Sequence, residues 1–221
     1  MKFKFLLAFC FIWYTGNAQI PSAFKDVQKA IPGIQLDVRY FSTDNFVGKR
    51  IDGYKASKIY LTNETVEALK KIQKELQKDQ MGLKLFDGYR PQKAVDHFVR
   101  WAQILNDTLT KKKYYPKVHK TELFKQGYIA SKSGHTRGST IDVTIIHLAT
   151  GEELDMGSSW DMFDPISWVE NDKINSEQQK NRNFLQNLML RNGFENYPQE
   201  WWHFTLKNEP FPGTYFDFNI E

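Results

Sequence analysis

The stretch SGHTRGSTIDVTIIH at residues 133–147 carries the clearest structural signal in this chain. From residue 139 onward its side chains alternate between two faces, which is typical of a β-strand. Gly138 lies just before this strand, and a turn at Gly138 would bring His135 back over Asp142. The stretch therefore predicts a strand that carries a carboxylate, with an imidazole folded back towards it.

Further helix and strand signals lie on both sides of this stretch. Helical spacing of apolar residues predicts a helix that follows Thr62 and two more at residues 92–106 and 176–192. Strand patterns occur at residues 34–40, 83–86 and 201–206, and residues 107–130 are predicted as a loop or insertion. This mixed order favours an α+β fold, a single domain with a small, mostly antiparallel sheet flanked by helices.

Length and composition limit the class of protein. The chain has 221 residues, with 41% hydrophobic and 25% charged residues, which suits one globular domain and excludes disorder, collagen and a coiled-coil rod. A mean hydropathy of −0.57 excludes a polytopic membrane protein. The net charge of +4 is too balanced to indicate a nucleic-acid partner.

The first 18 residues have the features of a signal peptide. Lys2 and Lys4 precede an apolar run that is too short for a permanent membrane anchor, and the segment closes with small residues before a cleavage point near Ala18. We expect an exported chain, periplasmic or extracellular, whose functional domain spans residues 19–221 without stable membrane insertion. Cys10 is the only cysteine, so the processed chain would have no disulfide, thiolate zinc site or cysteine nucleophile.

Two histidines lie in segments that could form a metal site. His135 is followed by Asp142, and the EWWH segment places Glu200 three residues before His203. Two imidazoles and a carboxylate can bind a catalytic zinc ion, and a second carboxylate could serve as general base. Two alternatives stay open from the residues alone, a buried salt bridge at Asp142 and a packed strand histidine at His203. Glu200 and His203 would face opposite sides of an ideal strand, so a bulge or a strand start is required.

These segments resemble the D-alanyl-D-alanine dipeptidase family of VanX-like zinc metallopeptidases. The similarity includes the pattern S-x-H-x-x-G-x-x-x-D at residues 133–142, E-x-W-H at 200–203 and DGYRP at 87–91. It extends in the same order over roughly residues 30–220. Thr140 is a departure, because the family usually has a small alanine at that position.

The resemblance implies a mechanism and its residues. It implies His135, Asp142 and His203 as ligands of one Zn2+ ion and Glu200 as the general base. It also implies that Arg90 stabilises the oxyanion formed during hydrolysis. The reaction implied is hydrolysis of D-alanyl-D-alanine to two D-alanines.

The resemblance further implies the residues that bind the substrate. Asp161 would hold the free ammonium of the dipeptide, and Ser133, Tyr40 and Tyr54 would lie near it. Asp155 adds a second acidic residue to the same region, so the choice of the acid that meets the ammonium stays open at this point.

Two other functions remain to be distinguished. A D,D- or L,D-carboxypeptidase of longer peptidoglycan stem peptides would need a groove that continues beyond the ammonium position. A non-catalytic module that binds zinc or peptidoglycan would be expected to lack the base or the arginine. With an export signal, the expected role of a dipeptidase is D-alanine recovery during peptidoglycan turnover.

Overall fold

The computed structural model describes residues 20–221. The predicted signal peptide, residues 1–18, lies outside the described residues. Within residues 20–221, no helix has the length and apolar character needed to cross a membrane.

A five-stranded mixed sheet forms the centre of the molecule. Its strand order is β2-β4-β5-β7-β6, with β2 parallel to β4 and the other neighbours antiparallel. A separate antiparallel pair joins β1 to β3. The strands are β1 (Phe24–Asp26), β2 (Gln35–Leu36), β3 (Tyr60–Thr62), β4 (Met81–Asp87), β5 (Thr140–His147), β6 (Phe194–Tyr197) and β7 (Glu200–Leu206).

Helices flank this sheet and complete the α+β architecture expected from the sequence. The helices are α1 (Val27–Ala30), α2 (Asn63–Gln77), α3 (Gln92–Gln103), α4 (Lys111–Tyr114) and α5 (Ser176–Arg191). The single domain with a small, mostly antiparallel sheet is therefore confirmed.

The long helices form where the apolar spacing predicts them. In α2, Val66, Leu69, Ile72 and Leu76 are fully buried on one face, because residues three and four apart share a side of a helix. At the start of α5, Asn175 and Gln178 form a reciprocal capping box that satisfies free backbone N–H groups.

The strand predicted at residues 34–40 is shorter in the structure. Only Gln35 and Leu36 pair with β4, and the chain then enters a 3-10 turn at Arg39–Phe41. This turn buries Tyr40, whose hydroxyl donates to Asp161 across the domain. A side-chain contact between distant residues has replaced the strand that local alternation indicated.

A C-terminal strap, residues 210–221, fastens three parts of the fold. The Phe216 amide donates to Thr136 O at 3.0 Å, and the Gln92 amide donates to Phe216 O at 3.0 Å. Ile220 forms a parallel bridge with Tyr54. The strap thus connects the start of α3 to the turn before β5, the turn that carries His135.

Candidate active site

Strand pairing brings two of the predicted metal ligands together. β5 and β7 are antiparallel neighbours, and Asp142 lies directly opposite His203 in their register. Side chains directly opposite in an antiparallel pair share one face and have Cβ atoms about 5 Å apart. Residues 61 positions apart in sequence therefore meet because the two strands pair in this register.

His135 reaches the same position from the turn that precedes β5. It lies in a 3-10 turn, Gly134–Arg137, whose first amides are capped by Ser133, since Ser133 Oγ accepts from the His135 amide. Gly138 ends the turn with a φ of 84°, a left-handed conformation that glycine adopts without steric cost. The turn predicted at Gly138 is thus present, and it places the imidazole above β5.

Three ligand atoms form a nearly equilateral triangle. His135 Nε2 lies 3.3 Å from His203 Nδ1 and 3.3 Å from Asp142 Oδ1, and His203 Nδ1 lies 3.2 Å from Asp142 Oδ1. Atoms bound to a tetrahedral zinc ion at about 2.0–2.1 Å lie about 3.3–3.4 Å from one another. The spacing and the N/N/O donor set fit such an ion.

Further contacts orient these ligands. His135 Nδ1 lies 2.8 Å from Gly88 O, and because a carbonyl can only accept, Nδ1 carries the hydrogen and Nε2 keeps its lone pair. Trp160 Nε1 donates to Asp142 Oδ2 at 3.1 Å, which leaves the buried Oδ1 without a hydrogen bond. A buried carboxylate oxygen without a donor is costly, so the unmatched atom is a second sign that the site suits a cation.

Charge is concentrated at this triangle. Burial alone would raise the pKa of Asp142, but the His135 and His203 imidazoles beside it hold that pKa well below its usual range. Burial lowers the pKa of His203, but the adjacent carboxylates of Asp142 and Glu200 outweigh it and raise that pKa to about 9. The two carboxylates thus favour positive charge at this position, carried either by the imidazole or by a metal ion.

Glu200 lies at the start of β7, where the strand is irregular. The pairing of β6 with β7 shifts register between Asn196 and Tyr197, and Tyr197 lies opposite Glu200. Glu200 Oε2 is 3.3 Å from His203 Nδ1, so both side chains reach one side despite their three-residue spacing. The strand-start irregularity that the spacing required is observed.

Arg90 is fixed by a buried carboxylate. Its Nε donates to Asp87 Oδ2 at 2.9 Å and its Nη2 lies 2.7 Å from the same oxygen, whereas Nη2 is 3.9 Å from Asp142 Oδ2. The guanidinium also lies over the Tyr40 and Phe98 rings at 5.1 and 5.2 Å. The salt bridge considered for Asp142 is thus only a long secondary contact of Arg90.

A cavity of about 290 Å³ lies beside the triangle, at the small end of ligand pockets. It is lined by Asp142, Glu200 and His203 on β5 and β7, which we call the sheet wall, and by the segment 127–133, all of it except Ser131, which we call the loop wall. The cavity is further lined by His135, Arg90, Asp161, Tyr40 and the apolar residues Phe46, Val95, Phe98 and Phe163.

Asp161 is a buried carboxylate that lines this cavity. Its side chain is buried and accepts from the Tyr40 hydroxyl at 2.6 Å. Burial and the nearby Asp142 charge raise the pKa of Asp161 well above its ordinary value. Its φ of 60° is unusual for a residue other than glycine, and such backbone conformations concentrate at functional positions.

Of the other two residues predicted to lie near the substrate, the structure places one at the cavity and one away from it. Ser133 lines the cavity, whereas Tyr54 does not line it. The Tyr54 hydroxyl instead donates to Asp87 Oδ1 at 2.7 Å, behind Arg90. Asp155 is exposed and accepts from the Gln178 side chain and the Gly157 amide, so it is directed away from the cavity that Asp161 lines.

Sequence reasoning did not single out Asp87 or Trp160. Asp87 is fully buried at the end of β4 and binds both Tyr54 and Arg90. An acidic residue that ends an apolar strand directly before the GYRP turn was the available signal. Trp160 precedes Asp161 and binds Asp142, but no local pattern distinguished it from an ordinary core tryptophan.

Comparisons with known proteins agree with the resemblance of the motifs. Residues 21–221 match the family described as D-ala-D-ala dipeptidase. A D-alanyl-D-alanine dipeptidase from Streptomyces coelicolor is 45% identical over 197 residues, covering 89% of this chain and 98% of that protein. The D-alanyl-D-alanine dipeptidases of Enterococcus faecalis and Enterococcus faecium are 43% and 42% identical, each covering 90% of this chain and 98% of the relative.

A solved vancomycin-resistance D,D-pentapeptidase in complex with Zn(II) is 14% identical and covers 72% of this chain and 78% of its own. Its TM-score of 0.42 is too low to support an argument about fold or function. The family match and the relatives above 40% identity are sufficient without it. The chain belongs to the D-ala-D-ala dipeptidase family and is a metallopeptidase.

Proposed function

We propose that this protein is a zinc-dependent dipeptidase that hydrolyses D-alanyl-D-alanine to two D-alanines. The observation that carries the proposal is the placement of a buried carboxylate, Asp161, in the small cavity that also contains the His135, Asp142 and His203 triangle. An anion within reach of a metal site suits a substrate whose free ammonium is close to the bond to be cut.

His135, Asp142 and His203 would hold the zinc ion. Zinc bound there would lower the pKa of a coordinated water and polarise the scissile carbonyl. The chain prepares the site by fixing each ligand separately: Gly88 O orients His135, and Trp160 orients Asp142. Such supporting contacts keep the ligand atoms in place before the substrate arrives.

Glu200 would act as the general base. Its carboxylate lies beside His203 and lines the cavity, within reach of a water placed between the triangle and the substrate carbonyl. Glu200 would take one proton from the water as its oxygen bonds to the carbonyl carbon. It would return that proton to the amide nitrogen as the C–N bond breaks, so that the second D-alanine leaves as an amine.

Arg90 would stabilise the negative charge that develops on the carbonyl oxygen. A guanidinium stays protonated at any working pH, and the two contacts with Asp87 hold it in one orientation. Tyr54 donates to the other oxygen of Asp87, so its role is to position Asp87 and, through it, Arg90. Preorganised donors of this kind contribute strongly because they do not have to reorient during the reaction.

Asp161 would bind the substrate ammonium together with Tyr40. The pKa of Asp161 is raised by burial and by Asp142, so its carboxylate needs a positive partner to stay ionised. The ammonium of a dipeptide supplies that charge. Ser133, at the start of the turn that carries His135, would contact the second residue of the dipeptide.

The residues around Asp161 favour a dipeptide over a longer stem peptide as the substrate. Tyr40 contacts Asp161, Trp160 packs on the Tyr40 ring, and Phe163 lines the same cavity. All three rings are almost fully buried. An acyl group on the substrate nitrogen would remove the ammonium charge and require space that these rings occupy. A carboxypeptidase would need open space beside Asp161 for the rest of the stem peptide.

The proposed place of action is the periplasm or another extracytoplasmic compartment. This rests on the signal-peptide features of residues 1–18. There the enzyme would recover D-alanine from peptidoglycan turnover. Fractionation of cells that express the full chain, with N-terminal sequencing of the processed protein, tests both the location and the cleavage point.

The activity is tested by D-alanine release from D-Ala-D-Ala by residues 19–221, before and after chelation and zinc re-addition. The same assay uses Glu200→Gln and the N-acetylated dipeptide. We expect zinc-dependent release by the parent chain, loss of release in Glu200→Gln with zinc still bound, and no release from the acetylated dipeptide.

Other outcomes would replace the proposal. Release from the acetylated dipeptide or from stem pentapeptide at a similar rate would make the protein a carboxypeptidase. Zinc binding without hydrolysis of any of these peptides would indicate a binding module.

A further inference from the structure

One cationic side chain of the cavity has no role in the mechanism above. Lys132 lies in the loop wall, lines the cavity and is solvent-exposed. Among the described residues, no carboxylate lies within 4.0 Å of the Lys132 ammonium. The guanidinium of Arg90, by contrast, is bound twice by Asp87. The charge of Lys132 is therefore available to a ligand.

The ammonium of Lys132 contacts the C-terminal strap. Lys132 Nζ lies 4.9 Å from the centre of the Tyr215 ring, a cation–π contact that limits the motion of a flexible side chain. Tyr215 belongs to the C-terminal strap, and the next residue, Phe216, is bonded through its backbone to both Gln92 and Thr136. Gln92 also donates from its side chain to Ser131 O, next to Lys132.

The charges along the cavity are arranged with opposite signs. Asp161, with its carboxylate, is buried, and Lys132, which lines the same cavity, is exposed. A free dipeptide is a zwitterion with the reverse order of charges, an ammonium at one end and a carboxylate at the other. Its two residues span about 7 Å when extended.

From this arrangement we propose that Lys132 binds the C-terminal carboxylate of the dipeptide and makes the enzyme selective for substrates with a free carboxyl group. The inference rests on the proposed dipeptidase function. Asp161 would then select the free amino end and Lys132 the free carboxyl end, with the peptide bond held between them at the triangle. Selection at both ends restricts the substrate to two residues.

The experiment compares two substrates that differ only at the carboxyl end. D-Ala-D-Ala and its C-terminal amide, D-Ala-D-alaninamide, are assayed by D-alanine release with the zinc-loaded parent chain, Lys132→Met and Lys132→Arg. Lys125→Met serves as a matched control, because Lys125 lies on the same surface segment, is highly exposed and does not line the cavity.

We expect Lys132→Met to raise KM for D-Ala-D-Ala about 10-fold, with kcat changed less than about 3-fold, since a charge-assisted hydrogen bond is lost. The same substitution should leave KM for the amide unchanged, because the amide has no carboxylate for Lys132 to bind. Lys132→Arg should recover most of the affinity for D-Ala-D-Ala, and Lys125→Met should behave as the parent chain.

Two results would overturn the inference, and a third separates it from the proposed function. Equal effects of Lys132→Met on both substrates would mean that the lysine only supports the loop. An unchanged KM for D-Ala-D-Ala would mean that the carboxylate binds elsewhere. If the parent chain hydrolyses neither substrate, the dipeptidase proposal itself fails, and the role of Lys132 falls with it.

Discussion

The sheet wall and the loop wall line the same cavity but are held in place by different kinds of interaction. In the sheet wall, Asp142 and His203 belong to adjacent strands and are fixed by a continuous backbone ladder. The loop wall has no such ladder. It follows a segment, residues 104–126, that contains no strand and is held by short helical turns, including α4, and by side-chain contacts.

Lys120 is the main example of such a contact. It is a buried lysine whose Nζ donates to Trp101 O at 2.8 Å and to Ile104 O at 2.9 Å, and lies 3.7 Å from the centre of the Trp101 ring. These carbonyls end α3, so the ammonium caps a helix and anchors the segment at once. Two of the three proposed metal ligands and the proposed base therefore lie on paired strands, whereas Lys132, proposed to select the carboxyl end of the substrate, lies on a loop.

The largest effect is expected from Asp142→Asn in the sheet wall. The substitution keeps the size of the side chain but removes its charge, so the triangle should lose zinc. We expect kcat/KM to fall by at least about 1,000-fold, with little change in the folded secondary structure. Metal analysis of the purified variant and circular dichroism test this together. Retained zinc with retained activity would contradict the assignment of Asp142.

A large effect on stability is expected from Gly138→Ala, at the turn that joins His135 to β5. A Cβ atom there would lie 2.2 Å from Phe24 Cε1, and the φ of 84° disfavours any other residue. We expect the free energy of unfolding to fall by about 3 kcal/mol in urea titration. Gly213→Ala is the control, because its Cβ would meet nothing within 4 Å. Equal stability of the two variants would show that the turn tolerates a side chain.

A smaller effect is expected from Lys120→Met in the segment before the loop wall. The apolar replacement keeps most of the packing but removes two charge-assisted hydrogen bonds and the contact with the Trp101 ring, which should cost about 2 kcal/mol. The two carbonyls keep the Ile104 and Asp107 amides as donors. We expect faster hydrogen exchange across residues 104–132, a raised KM and unchanged zinc content. Lys112→Met, at an exposed position nearby, should change none of these. Loss of zinc in Lys120→Met would mean that the two walls are not independent.

The smallest effect is expected behind the sheet wall, at the start of α5. Asn175→Ala removes the side chain that caps the Glu177 and Gln178 amides, and should lower the free energy of unfolding by about 1 kcal/mol. The kinetic constants for D-Ala-D-Ala should stay unchanged, since α5 contributes no residue to the cavity. Altered kinetics would show that the sheet wall responds to the helix packed on it.

The sequence predicted the sheet wall better than the loop wall. His135, Asp142, Glu200 and His203 lie in local patterns. The glycine turn predicted that His135 lies over Asp142, and the resemblance of the motifs implied that His203 and Glu200 belong to the same site. The exact triangle could not be anticipated, because it depends on the register of β5 against β7. That register is set by contacts between residues far apart in sequence.

The residues missed or misplaced by the sequence depend on tertiary contacts. Tyr54 was predicted next to the substrate, but its hydroxyl binds Asp87 behind Arg90. Lys132 has no distinguishing neighbour in sequence, since its cation–π partner, Tyr215, lies in the C-terminal strap. Neither periodicity nor residue spacing reports contacts of this range.

On the proposed mechanism, the pairing of β5 with β7 would also determine when a growing chain gains activity. His203 follows His135 by 68 residues, which is about 3–14 s of synthesis at 5–20 residues per second. Asp142 and Asp161 are made during that interval, but the proposed base Glu200 and the proposed third ligand His203 come only at its end. On the proposed mechanism, hydrolysis would begin only after β7 has been made and paired, so interrupted chains that end before residue 200 would be inactive without any inhibitor or pro-segment.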